Sequence, residues 1–164
     1  MGSLSKSKGS AFERTICKAL STWVSRGERE DLFWRSAMSG GRATVHKDKG
    51  KVADHAGDIT ATSEAGHKLT NQFYIECKFY KDLNIDGFLF GTGNLHKFWQ
   101  KCKEEANQYG KAPMLIAKQN RTPVLVVFHM DSDPVAQDFH FATMDANVYL
   151  FDELMKTEFE GESC

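Results

Sequence analysis

Apolar residues recur every three or four positions from Phe12 through Ile16, Ala19, Leu20 and Trp23, a spacing that predicts a helix capped by Ser10 and running to about Arg26. "DLFWR" (31–35) reads as a short strand. Residues 36–56 keep no period and are rich in Gly, Ser and Lys, which predicts a long basic loop. "GDITATS" (57–63) starts a strand, "EAGHKLTNQ" connects, and "FYIECKFY" (73–80) is the next strand, so the two strands are expected to form an antiparallel hairpin. Residues 81–94 are irregular and carry the apolar patch "GFLFG". Asn94 caps a second helix with the stripe Leu95, Phe98, Trp99, Cys102, Ala106 and Tyr109, stopped at Gly110. "PMLIAK" (113–118) and "PVLVVFH" (123–129) are apolar strands that each open on a proline, where a missing donor costs least. "DFHFATM" (138–144) alternates as a further strand, and Asp145 caps a last helix that ends near Lys156. This order predicts an α/β fold with a mixed central β-sheet flanked by helices. One domain spans 10–156, between a flexible basic N-terminus (1–9) and an acidic tail (157–164).

Size and composition agree with one globular domain. A chain of 164 residues buries about 70% of its unfolded surface and needs no staple. The four scattered cysteines, Cys17, Cys77, Cys102 and Cys164, form no C-x-x-C pair and read as reduced thiols rather than a disulfide framework or a zinc site. His46, His55, His67 and His96 share no metal-ligand spacing. No apolar run reaches about 18 residues, and "MGSLSKSKGS" lacks an apolar signal core, so a cytoplasmic location away from membranes is expected. Net charge is −1 but unevenly spread: residues 1–129 hold 20 Lys/Arg against 13 Asp/Glu, and residues 130–164 hold 1 against 9. A basic body with an acidic end points to a polyanionic partner such as nucleic acid, and equally fits a solvated surface with an acidic tail.

The chemistry centres on "FYIECKFY". Glu76 and Lys78 lie two apart, so on a strand they share one face among aromatics. A carboxylate and an ammonium in such surroundings are costly to bury. Asp58 in "GDIT" stands upstream on the neighbouring strand. Two converging carboxylates repel, and a divalent cation relieves the repulsion; oxygen ligands suit Mg²⁺, for which Mn²⁺ can substitute. The backbone carbonyl of Cys77 lies between them as a third ligand. Lys78 can orient or deprotonate a water, or neutralise a phosphate oxygen. Together these are the parts for metal-assisted phosphodiester hydrolysis. The bland alternative is an exposed edge strand with an ion pair, which the flanking aromatics and Asp58 disfavour.

"GD" followed by E-x-K resembles the PD-(D/E)XK nuclease superfamily. "KGSAFERTICKAL" is similar to the opening helix of archaeal-type Holliday junction resolvases, and "WRSAMSGG" to their Arg-Ser…Ser-Gly segment. "WQKCKEEANQYGKAPMLIAKQNRTPVLVV" resembles the helix-strand-strand ending of small phage-encoded resolvase-like nucleases. The likeness implies a restriction-endonuclease-like core, a Mg²⁺-dependent endodeoxyribonuclease acting on branched or four-way DNA in recombination or repair, and a homodimer. It brings Glu13 to the site as a metal ligand through water; an equal alternative is a capping box in which Glu13 bonds back to Ser10. It also makes Ser39-Gly40-Gly41 a phosphate-approaching turn with Arg35 and Arg42 beside it. Lys8, Lys47, Lys49 and Lys51 are further expected phosphate contacts. Other DNA substrates (duplex, flap or ends) and a non-catalytic DNA-binding module on the same fold stand as alternatives. Three features depart from the pattern: Gly57 replaces proline, 17 residues separate Asp58 from Glu76, and "GFLFGTGN" has no counterpart.

Overall fold

The computed structural model describes residues 2–36, 56–135 and 145–159, with side chains from position 7. The elements run α1 (Gly2–Val24), β1 (Phe33–Arg35), β2 (Ile59–Ala61), α2 (Glu64–Gln72), β3 (Phe73–Tyr80), α3 (Ile85–Phe88), α4 (Gly93–Gln108), β4 (Ala112–Gln119), β5 (Leu125–His129), β6 (Ala146–Leu150) and α5 (Phe151–Leu154). The main sheet has the order β3-β4-β5-β6, parallel at β3/β4 and antiparallel at the other two pairings. It is a mixed sheet with helices on both faces, as the sequence predicts.

Strand alternation sorts the core into two layers. Phe73, Ile75 and Cys77 of β3, with Met114, Ile116, Val126 and Phe128, pack with Phe12, Ile16, Leu20 and Trp23 of α1. On the other side Tyr74, Leu115, Ala117 and Val127 pack with Leu95, Trp99, Cys102 and Ala106 of α4. Each large apolar side chain buried this way contributes about 1.5–3 kcal/mol. The described cysteines, Cys17, Cys77 and Cys102, are free and buried. Burial pushes the Cys17 thiol up to about 12, which leaves it an inert apolar group. Among the described residues, no helix is long and apolar enough to cross a membrane.

Four elements differ from the sequence reading. Helix α1 begins at Gly2 rather than after Ser10, whose hydroxyl donates within the helix to the Ser7 carbonyl at 3.3 Å. A serine that satisfies itself inside a turn does not stop a helix. "EAGHKLTNQ" forms helix α2, with Gly66, Leu69 and Thr70 buried, so β2 and β3 are not an antiparallel hairpin. Instead β2 pairs antiparallel with β1, and Gly57 bridges Ile75 in parallel. Within 81–94 there is a one-turn helix, α3, and the residue preceding α4 is Thr92 rather than Asn94, which lies inside the helix. Finally, 146–150 is strand β6, paired along its length with β5, in place of a helix from Asp145. The run "ANVYL" carries a β-branched and an aromatic residue and meets an open strand edge, and ladder bonds outweigh the capping signal of Asp145. The predicted strand at 138–144 lies outside the described residues, apart from which the α4 stop is as expected: Lys111 N–H donates to the Ala106 carbonyl at 3.0 Å and Gly110 follows the helix at φ +64°.

Candidate active site

The site forms where the two-stranded β1/β2 ribbon meets the edge of the main sheet at β3. Its hinge is Gly57, at φ +84°. A Cβ there would lie 2.5 Å from the Ile75 carbonyl oxygen, so neither a side chain nor the fixed negative φ of proline fits. Gly57, which stands where the resembled pattern has proline, is thus what lets the chain lie against β3.

Asp58 is held from several directions. Its N–H donates to the Ile75 carbonyl at 2.8 Å, and its carbonyl accepts from Ser36 N–H at 2.7 Å. Its Oδ2 accepts from the Cys77 N–H at 2.8 Å. In a strand the N–H and C=O of one residue point to the same side, and residues two apart repeat the direction. Ile75 and Cys77 both address Asp58, so the Cys77 carbonyl also points to this edge, where β2 offers no further ladder partner beyond the single Gly57–Ile75 bridge.

Glu76 is buried on the α4 side of β3 and ion-paired with Lys78. The Lys78 ammonium lies 5.8 Å from the centre of the Phe98 ring on α4. Burial, then the neighbouring Glu76 carboxylate, push Asp58 up to about 7, against the Cys77 N–H and the Lys78 charge. Burial also works to lower the Lys78 ammonium, but attraction and hydrogen bonding from Glu76, with Asp58 behind, leave it raised. The edge therefore holds more negative charge than one lysine comfortably balances.

Two carboxylates and one available carbonyl are hard oxygen donors, the set that suits magnesium or manganese with water filling the remaining positions. Among the described residues no three His, Cys, Asp or Glu side chains gather as a metal cluster.

Glu13 does not close a capping box. Its Oε2 accepts from Arg35 Nε at 2.7 Å, joining α1 to β1 beside the pair, and Glu13 is among the charges that raise Asp58. Arg35, expected on phosphate, is committed to this ion pair. Lys8 is exposed on α1, near a groove that Phe12, Phe79 and Lys118 also line. Ser39, Gly40, Gly41, Arg42, Lys47, Lys49 and Lys51 lie outside the described residues.

Sequence reasoning missed two neighbours. The Tyr74 hydroxyl, on the same face of β3 as Glu76 and Lys78, donates to Glu105 of α4 at 2.8 Å. Phe98, assigned to the core stripe, is half-buried and lies under Lys78. The i−2 spacing of Tyr74 from Glu76 was a readable signal; which α4 residues meet that face depended on packing.

A family model described as "Phage putative PDDEXK endonuclease" matches residues 4–160 of the chain. Protein D14 of Escherichia phage T5 is 35% identical over 114 residues, which make up 68% of this chain and 65% of that relative. No solved structure matches the chain.

Proposed function

This chain belongs to the phage PDDEXK endonuclease family, and from that premise we propose that it is a divalent-metal-dependent endonuclease that hydrolyses DNA phosphodiester bonds with Asp58, Glu76 and Lys78. The observation that carries this reading is the buried Asp58–Glu76 pair at a strand edge with Lys78 on the same face. Asp58, Glu76 and the Cys77 carbonyl would hold the cation, with Glu13 reaching it through water. When bound, magnesium or manganese supplies charge neutralisation at the scissile phosphate and acidifies water.

The chain's own groups do the rest. The hydrogen bonds on Asp58 hold its carboxylate in place. Lys78 is charged while Glu76 faces it, so its first role is to hold a phosphate oxygen or a water in line. Were a cation to share the Glu76 charge, Lys78 would be the group on this face able to exchange a proton. Branched, four-way DNA is the substrate this reading takes first, cut by a homodimer whose two sites serve two strands.

The test is a panel of end-labelled linear, flapped and four-way DNAs, incubated with the protein in magnesium or in chelator. Magnesium-dependent internal cuts, strongest on the junction and lost in Asp58→Asn, are expected. Equal cutting of all DNAs would remove the junction preference. No cutting of any, with binding kept, would make the chain a DNA-binding module on a nuclease fold.

A further inference from the structure

The turn between β3 and α4 takes no part in the site described above. It carries Leu89 and Phe90 in solvent, 47% and 81% exposed, while Leu83 and Phe88 of the same segment are buried. Single exposed apolar side chains are common. What distinguishes these is the frame beneath them. Asn84 sits in the left-handed region at φ 48°, and its side chain accepts from Gly87 N–H at 3.3 Å. The Gly87 carbonyl in turn accepts from Phe90 N–H at 3.0 Å and from Thr92 N–H at 2.8 Å. Cβ atoms on Gly87 and Gly93 would lie 2.6 and 2.7 Å from the Asn84 amide nitrogen, so the frame is closed up to contact. Leu83 N–H donates to Gln119 of β4 at 2.7 Å, and its carbonyl accepts from Leu95 of α4 at 2.8 Å. The turn is thus tied to both sheet and helix.

The turn joins the two elements whose residues Lys78 and Phe98 meet. The turn leaves the end of β3, the strand of Glu76 and Lys78. It enters α4, on which Phe98 lies five residues, about 8 Å of helix, beyond Gly93. Phe98 meets both Lys78, 5.8 Å from its ring centre, and the half-exposed Tyr80, at 5.3 Å. Lys81 and Lys97 are exposed around the turn, and so are Asp82 and Asp86, which cancel them. A contact made here gains little from charge.

We propose that Phe90, backed by Leu89, is a stacking site for an unpaired nucleobase of the DNA substrate, on the turn that joins the strand of Glu76 and Lys78 to α4; this rests on the nuclease reading above. A rigid aromatic tip of two side chains is far below the roughly 800 Å² per partner of a stable protein interface. It matches the face of one base, whose stacking on an aromatic residue is worth about tenfold or more in affinity. An unpaired base is what a branch or flap presents and a perfect duplex does not.

The test compares wild type, Phe90→Ala and Phe90→Trp in chelator. Each is titrated onto a labelled duplex and onto the same duplex bearing one unpaired 2-aminopurine, at low and high salt. The expected result is a loss of about tenfold for Phe90→Ala on the unpaired-base DNA alone, similar at both salts, with affinity restored by tryptophan. Wild type quenches the 2-aminopurine fluorescence and Phe90→Ala does not. Unchanged melting temperatures confirm that the variants fold. Equal affinities of wild type and Phe90→Ala, or equal losses on both DNAs, overturn the proposal. So does a loss of self-association in sedimentation with DNA affinity unchanged, which would make the turn a contact between copies. Wild-type cleavage in magnesium separates the two readings. Cleavage without a Phe90 effect sinks only the stacking site, whereas no binding and no cleavage by wild type sinks the nuclease reading and this inference with it.

Discussion

The two faces of β3 differ in kind. Toward α1 the strand presents Phe73, Ile75 and Cys77, all buried among apolar neighbours. Toward α4 it presents Tyr74, Glu76 and Lys78, whose polar atoms must each be answered: the tyrosine by Glu105, the glutamate by the lysine. The first face stabilises through burial and asks nothing of geometry beyond fit. The second removes charges from water, and an ion pair in that position returns at best what its desolvation costs. One strand thus carries a side that stabilises by burial and a side that takes charge out of water, because alternation lets adjacent residues face opposite environments.

The comparison breaks most sharply by exchanging which face is damaged. Glu76→Gln is expected to lower single-turnover cleavage by about a thousandfold or more, equivalent to about 4 kcal/mol, with DNA binding intact or tighter and melting little changed. Lys78→Ala is expected to fall in the range of about 10²–10⁴-fold, again in rate far more than in binding. A cleavage rate at the wild-type level in either variant would remove that residue from the chemistry.

On the opposite face, Ile75→Ala is expected to do the reverse. Ile75 is fully buried, and truncation of such a residue costs about 2–5 kcal/mol of stability. Chemical denaturation should show the loss, while the fraction still folded at low temperature cleaves at close to the wild-type rate. A variant that kept its stability would mean the α1 face is less well packed than the structure has it.

A smaller effect sharpens the contrast through pH. Asp58 is raised from 3.8 to about 7 in the folded protein, first by burial and then by Glu76. Between those values the folded chain keeps a proton that the unfolded chain has released. Its contribution to stability is therefore whole below about pH 4 and declines as pH rises toward about 7. At the proposed site a divalent cation would take the place of that proton. The gain in melting temperature on adding magnesium should be a few degrees and larger near pH 8 than near pH 5. Asp58→Asn should flatten both dependences. A magnesium effect of equal size at the two pH values would argue that the Asp58–Glu76 pair does not bind the ion.

How Asp58 reaches Glu76 shows what a single sequence can and cannot carry. The expectation that the two carboxylates meet rested on an antiparallel hairpin. They are brought together by another route, a helix (α2) between β2 and β3 and a parallel bridge from Gly57 to Ile75. The residues of α2 read as a connection because a nine-residue helix buries only Gly66, Leu69 and Thr70, too few to show a period. The same limit hid β6, whose five residues are strand because β5 offers them an edge.

The sequence by itself determined the long elements and the kind of chemistry. The α1 and α4 stripes, the apolar runs of β3, β4 and β5, and the Gly-Asp with Glu-x-Lys spacing are local patterns, set by periods of 3.6 and 2 and by residue type. Only the tertiary structure decided which partners those residues have. Glu13 joins Arg35 rather than Ser10, Tyr74 finds Glu105, and Lys78 lies over Phe98, because each pairing spans at least 20 residues of chain. Such contacts follow from the packing of whole elements on a shared core, and no local pattern encodes the angle and register at which those elements meet.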